Sequence, residues 1–315
     1  MLALKKFVHT LVIALTRVLS KLMPDKIPLT FVGAGASAQL CESIAQMGID
    51  RVLIVTDAML VKIGLVDVVT KAMQAAGLSW SVYDGVEPDP TFTQVDAGLG
   101  QLKKEGCAAV VAVGGGSSMD AAKAIVARAT NNKSIEQLEG WFKIKQTPLP
   151  LFAIPTTAGT GSEVTIVAVV SDPQTHAKKF LVDPKLLPVM AALDPDMMTG
   201  LPPHITAATG MDALTHAVES YLSRTATRHT EEYSIAAVRM IFSNLPTAFR
   251  NGNDVGARKA MALASYVRGG GLYSCQRWLR ACNRPHLRCL LRYAAWPGQR
   301  HRVAACSRVL QSACA

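Results

Sequence analysis

The chain has 315 residues, half of them apolar, which is enough for two cores and excludes an intrinsically disordered protein. Its formal charge of +10 would point to nucleic acid or an acidic surface if it were evenly spread. It is not: Val267 to Ala315 holds nine Arg and no Lys, Asp or Glu, so 33 minus 9 leaves 24 basic residues against 23 acidic ones, and no nucleic-acid partner is expected for the body.

The first segment, residues 1–28, is apolar but carries Lys5, Lys6, Arg17 and Lys21, so no run reaches the about 18 residues that a membrane span requires. It reads as an amphipathic helix without a signal-peptide cleavage site, packed on its own protein or on a second subunit. Peripheral membrane contact is the alternative for such a helix.

From Leu29 onward, short β-branched runs alternate with helical patterns that end in glycine, the pattern of βα units around a parallel sheet. LTFVGAG reads as a strand, ASAQLCESIAQMG as a helix, RVLIVTD as a strand, Ala58 to Gly77 as one helix and LSWSVYDG as a third strand. A helix then runs to about Gly106, followed by AAVVAVGGG, apolar throughout as a strand buried on both faces must be. LFAIPTT, IVAVVSD and KKFLVD read as further strands. Beyond about Leu201 only helical spacing remains, through ATGMDALTHAVESYL and EEYSIAAVRMIFSNL. The expected fold class is therefore α/β: a Rossmann-like parallel-sheet domain over 29–200, then an all-helical domain from 201, with the site between them.

The turn Gly114-Gly115-Gly116-Ser117-Ser118 joins a buried strand to the helix SMDAAKAIVARAT, so its amides converge at a helix N-terminus, where an anion is favoured. An ordinary tight turn has the same composition. Asp57 closes RVLIVTD, where a carboxylate can accept from a ribose diol or cap the next helix. Thr156, Thr157, Thr160 and Ser162 crowd one glycine-containing loop. Asp212 and His216 lie four apart, on one helix face, at a spacing able to grip a divalent ion or to form a simple salt link.

GGGSSMDAAKA, IPTTAGTGSEVT, LDPDMMTGLPP and ATGMDALTHAVESY follow one another in an order that resembles the iron-containing (group III) alcohol dehydrogenases, from about Leu29 to Tyr266. The resemblance implies a metal- and NAD-dependent interconversion of a small alcohol and its aldehyde, in a cytoplasmic enzyme that forms homo-oligomers when intact. It assigns Gly115, Gly116, Ser117 and Asp120 to the cofactor turn and its helix, and Asp57 to the ribose. Thr156, Thr157, Thr160 and Lys179 fall to the rest of the cofactor site. Asp212 and His216 become catalytic metal ligands, two of four, for Fe2+ or else Zn2+. The other two are histidines in motifs resembling GYVHAIAH and TPHG, which this chain lacks.

Codon degeneracy suggests why. WLRACNRPH can be encoded by TGG CTA CGT GCA TGC AAT CGC CCA CAC, and dropping the first base gives GGC TAC GTG CAT GCA ATC GCC CAC, which reads GYVHAIAH. Continued through LRCLLRYAAWPGQRHRVAACSRVLQ, the same offset permits TCGAYYGTPHGLANAIALPHVLEFS. Residues 267–315 are thus expected to be an out-of-frame tail, and 201–266 a truncated start of the helical domain. His286, His301 and the five late cysteines, from Cys275 to Cys314, become coincidences of codon shift rather than a zinc module. The chain as written is expected to be inactive, the alternative function being that of a non-catalytic dinucleotide-binding fragment.

Overall fold

The computed structural model describes residues 26–223 and 226–273, with side chains to Gly269. The expected N-terminal helix over 1–28 and most of the arginine-rich tail lie outside the described residues.

The α/β half runs β1 (Leu29–Val32), α1 (Ala36–Gln46), β2 (Arg51–Val55), α2 (Ala58–Lys62), α3 (Leu65–Ala75), β3 (Ser79–Tyr83), α4 (Phe92–Lys104), β4 (Ala109–Gly114) and α5 (Gly116–Thr130). It continues with α6 (Ile135–Leu138), β5 (Gly140–Trp141), β6 (Leu151–Pro155), β7 (Val167–Ser171), β8 (Lys178–Val182) and β9 (Met190–Leu193). Three helices follow: α7 (Pro203–Leu222), α8 (Arg228–Arg250) and α9 (Val255–Tyr273).

Six strands form a parallel sheet in the order β1-β9-β6-β4-β2-β3. β4 is buried at every residue, and its side chains alternate between two cores. Val110 and Ala112 face α4 and α5, while Ala109, Val111 and Val113 face α1 and α3. A strand sandwiched in this way can carry no polar residue, which is why AAVVAV is so uniform. From β2 the chain goes to β3 on one side, then returns to β4 on the other. That reversal opens a crevice at the carboxyl ends of β2 and β4, the place where open α/β sheets take ligands.

Three elements differ from the sequence reading. The helix expected over Ala58 to Gly77 is two, because Gly64 takes the left-handed conformation (φ 75°) and turns the chain between α2 and α3. The β7 and β8 runs are strands, as read, but they pair antiparallel with each other and join β5 in a separate three-stranded sheet. The sixth strand of the main sheet is instead β9, whose MAAL is too short and too poor in β-branched residues to stand out.

The helical half is not packed as a separate body. Ala213, Ile241 and Met261 share a core with Ala158, Leu193 and Met198 of the α/β half. Tyr266 of α9 reaches β1, its hydroxyl 2.8 Å from Thr30 Oγ1. Arg258 ties the start of α7 to α9, donating to Thr206 Oγ1, to the Leu201 carbonyl and to the Gly252 carbonyl. Among the described residues no helix is long and apolar enough to cross a membrane.

Candidate functional site

The glycine turn and the threonine loop are one structure. Gly115 caps α5, and the Thr156 amide donates to the Gly114 carbonyl at 3.0 Å, laying the loop after β6 against the turn after β4. The approach is close enough to exclude side chains. A Cβ on Gly116 would sit 2.7 Å from Thr160 Cγ2, and one on Gly115 would sit 3.2 Å from Thr157 Oγ1. Gly114 holds φ +149°, and a Cβ there would strike Ser118 at 2.4 Å. The free amides at the start of α5, including those of Gly116 and Ser117, therefore face a cradle walled by threonine hydroxyls.

Asp57 stands at the end of β2, on the other lip of the crevice. Its carboxylate accepts from the Leu60 amide at 3.0 Å, so it is the cap of α2, one of the two roles left open by its position. A capping carboxylate uses one oxygen, and the residue is partly exposed, so the cap does not preclude a ribose contact.

Asp120 lies in the first turns of α5, just past the glycine turn, and is tied to the segment that follows β6. Ser162 Oγ donates to one carboxylate oxygen at 2.8 Å and the Val169 amide donates to the other at 3.1 Å, so it faces the protein. Behind it lies Lys123, wholly buried, which the sequence reading passed over as a helical lysine. Its ammonium shares three N–H donors among four oxygens in reach, the Ser162 carbonyl (2.7 Å), Ser162 Oγ (2.8 Å), Thr165 Oγ1 (2.9 Å) and the Val167 carbonyl (2.9 Å). Burial pulls this amine down to about 8, with the Asp120 and Glu163 carboxylates opposing it. Asp120 is held above the usual carboxylate range by burial, in spite of Lys123 and the Ser162 hydrogen bond. Asp120, Lys123 and Ser162 thus position the loop that carries Thr156, Thr157 and Thr160. A lysine in the middle of a helix rich in small and apolar residues, five positions before its last-turn arginine, was the available signal.

Lys179 pairs with a carboxylate across the small sheet. It lies on β8 of the small sheet and donates to Glu139 at 2.8 Å, a pairing that holds its amine above the usual range.

Asp212 and His216 do face each other on α7, with Nε2 and the carboxylate oxygen 3.3 Å apart. His216 Nδ1 lies 3.5 Å from Glu219, too poorly aligned to satisfy it as a hydrogen bond. Burial opposes charge on both members of the pair. Their mutual attraction outweighs it, lowering the Asp212 carboxyl and, with Glu219, raising the His216 imidazole. Beside them Arg268 of α9 is 1% exposed and donates from Nη2 to the Gly159 carbonyl at 2.8 Å, while Nε and Nη1 have no hydrogen-bond partner among the described residues. Sequence reasoning had counted this arginine with the tail. The cysteines Cys41 and Cys107 are buried and free, and burial pushes the Cys41 thiol up to about 12, which makes it inert as a nucleophile.

Comparison with known proteins bears on this geometry. The profile described as iron-containing alcohol dehydrogenase matches residues 28–195, and that of the Fe-containing alcohol dehydrogenase family, C-terminal, matches 206–280. The second match, like α9 itself, runs past Tyr266, so the likeness extends beyond the point where the sequence reading ended it. The chain is 39% identical over 279 residues to an NAD-dependent methanol dehydrogenase of Bacillus methanolicus, covering 82% of this chain and 73% of that one. It is 43% identical over 241 residues to a lactaldehyde reductase of Escherichia coli K12, covering 76% and 63%. Among solved structures, an alcohol dehydrogenase from Oenococcus oeni superposes with a TM-score of 0.78 at 34% identity, covering 79% and 66%. Sheet order, glycine turn, threonine loop and both profiles agree, and the chain belongs to the iron-containing alcohol dehydrogenase family.

Proposed function

We propose that this chain binds NAD across the ends of β2 and β4, as the cofactor-holding part of an oxidoreductase that interconverts a small alcohol and its aldehyde. The observation that carries the reading is the contact between the glycine turn and the threonine loop, which leaves the N-terminus of α5 open to a pyrophosphate and to little else. Asp57, on the opposite lip, would accept from the ribose hydroxyls and repel a 2′-phosphate, favouring NAD over NADP. Thr156, Thr157 and Thr160 would orient the nicotinamide, and Lys123 with Asp120 keeps their loop in place from beneath. Bound there, the nicotinamide supplies the hydride chemistry. An alcohol or aldehyde substrate is supported by the relatives named for methanol and lactaldehyde.

The family's metal fits less well. Asp212 and His216 are two donors, and among the described residues no group of three His, Cys, Asp or Glu side chains could hold an ion. The Arg268 guanidinium adds positive charge within electrostatic range of the pair. The described residues therefore do not make a metal centre, and for this chain the proposal ends at cofactor binding. The missing half of the centre, two histidines, is encoded in our reading by the frame one base away, beyond Tyr266.

The test uses two proteins, the 315-residue chain and a version restored by one base. NAD and NADP are titrated into both by cofactor fluorescence, and bound iron, bound zinc and oxidation of short primary alcohols are measured. We expect both to bind NAD more tightly than NADP, and only the restored form to hold metal and turn over alcohol. Equal affinity for the two cofactors removes Asp57 from its role. A metal-loaded, active 315-residue chain overturns the frame reading.

A further inference from the structure

Two aromatic rings stand in water at the rim of the small sheet. β5 is an edge strand, and just after Trp141 the chain enters the left-handed region at Phe142 (φ 55°), which a bulky side chain rarely adopts. Consecutive side chains of a strand point to opposite faces. The turn at Phe142 ends that alternation, and the two rings lie 6.0 Å apart while 39% and 57% exposed. Strain of this kind persists only where the surroundings impose it. Here buried Asn131 accepts from the Lys145 and Gln146 amides at 3.0 Å and donates to the Gln146 carbonyl at 3.1 Å, while Ile144 is set into the core.

Cations surround the pair. Lys143 and Lys145 are exposed on either side of Ile144 in the sequence. Lys185 donates to the Ile144 and Lys145 carbonyls at 2.7 and 3.0 Å, and Lys133 donates to the Lys143 carbonyl at 3.3 Å. None of these four forms an ion pair among the described residues, because the nearby acids gather about Lys179: Glu139 pairs with it, and Glu136 and Asp172 are within its electrostatic range. A second copy of this chain is a poor occupant, since a two-fold axis would set the lysines against themselves. An anionic layer with an apolar interior is complementary: aromatic rings settle at the headgroup level, and each lysine near the surface adds attraction. The sequence carries another stretch of that character in residues 1–28, apolar with Lys5, Lys6, Arg17 and Lys21.

We infer that the Trp141–Phe142 loop is a docking surface for an anionic lipid bilayer, the two rings entering the headgroup layer and Lys133, Lys143, Lys145 and Lys185 facing the lipid phosphates. The inference is independent of NAD binding, since the glycine turn and Asp57 lie on other elements.

The experiment mixes the full chain with vesicles of phosphatidylcholine alone or with added phosphatidylglycerol, and reads co-sedimentation and the quenching of tryptophan emission by lipids brominated high on the acyl chain. The parent should bind the phosphatidylglycerol vesicles about tenfold tighter or more than the neutral ones, and 0.5 M salt, roughly the level at which surface charge is screened, should remove the difference. Lys143→Glu with Lys145→Glu changes only exposed side chains and should weaken binding about twentyfold, each lysine contributing roughly fivefold. Trp141→Ser with Phe142→Ser should weaken it roughly tenfold through lost apolar burial. Quenching separates this loop from the arginines beyond Tyr266. A chain held only by those, or by residues 1–28, loses the same emission intensity in the parent and in Trp141→Phe, and that result overturns the inference. Binding that the charge reversal leaves unchanged overturns it as well. A response of Trp141 to polyglutamate but not to vesicles would assign the loop to an acidic peptide instead, and likewise refutes the lipid surface.

Discussion

Two buried cations sit on opposite sides of the threonine loop, and they could hardly be less alike. Lys123, beneath it, meets four oxygens within 2.9 Å. Arg268, above it, meets one, and two of its nitrogens have no partner among the described residues. A buried polar group is tolerable when its hydrogen bonds are made and costly when they are not. The lysine therefore belongs to the design of the cofactor half. The arginine sits at the seam with the helical half with a single hydrogen bond to a described residue.

That contrast can be broken at its strong end first. Lys123→Met should strand four acceptors and the Asp120 carboxylate, and a loss of roughly 3 kcal/mol or more in denaturant melts is expected, together with loss of NAD binding. A Lys123→Met protein that melts with the parent would mean that the network is not structural. Next in size is Gly116→Ala, whose added methyl collides with Thr160. It should cost about 1–3 kcal/mol, felt mainly as weaker NAD binding rather than lower stability. Unchanged NAD affinity would take the pyrophosphate away from this turn.

Asp57 can be split into its two roles. Asp57→Ala should lose about 1 kcal/mol of stability with the α2 cap, whereas Asp57→Asn keeps a capping oxygen and should lose only the discrimination between NAD and NADP. Calorimetry and paired cofactor titrations read the two separately. If both variants keep the preference for NAD, the acid is only a cap.

The smallest effect is a pH slope. Burial takes Lys123 from 10.5 to about 8, so between those values the folded chain binds fewer protons than the unfolded one. Its destabilising contribution is complete below pH 8 and is relieved as pH climbs toward 10.5. Parent stability, measured by denaturant melts across that window, should therefore contain a rising component that Lys123→Met lacks. Parallel curves would mean that the amine is not depressed.

Much of the cofactor half was legible because its signals are local. A strand buried on both faces must be apolar along its whole length, as AAVVAV is, and a turn that backbone must approach closely must be glycine. What stayed hidden depends on contacts distant in sequence. Nothing in MAAL says that β9 lies between β1 and β6, and nothing in IVAVVSD says that it leaves the main sheet for β8. Asp120 was placed near the cofactor turn by resemblance, but that it faces Ser162 and Val169, some forty residues on, only the packing of α5 against the loop reveals. Lys123 was missed for the same reason. Asp212 and His216 were read as neighbours from helix periodicity alone, and their pairing follows from it. The arginine beside them comes from a different helix.

The glycines at the seam carry one more consequence. A Cβ on Gly161 would meet the Ser265 carbonyl at 2.7 Å, and one on Gly269 would meet the Gly161 carbonyl at 2.8 Å. Main chain lies on main chain there, flanked by the side chains of Val164 and Arg268, so the two segments have little freedom to slide past each other. A side chain at Gly161 or Gly269 would therefore have to displace backbone, and Ala at either position is expected to disturb the packing of the threonine loop on α9.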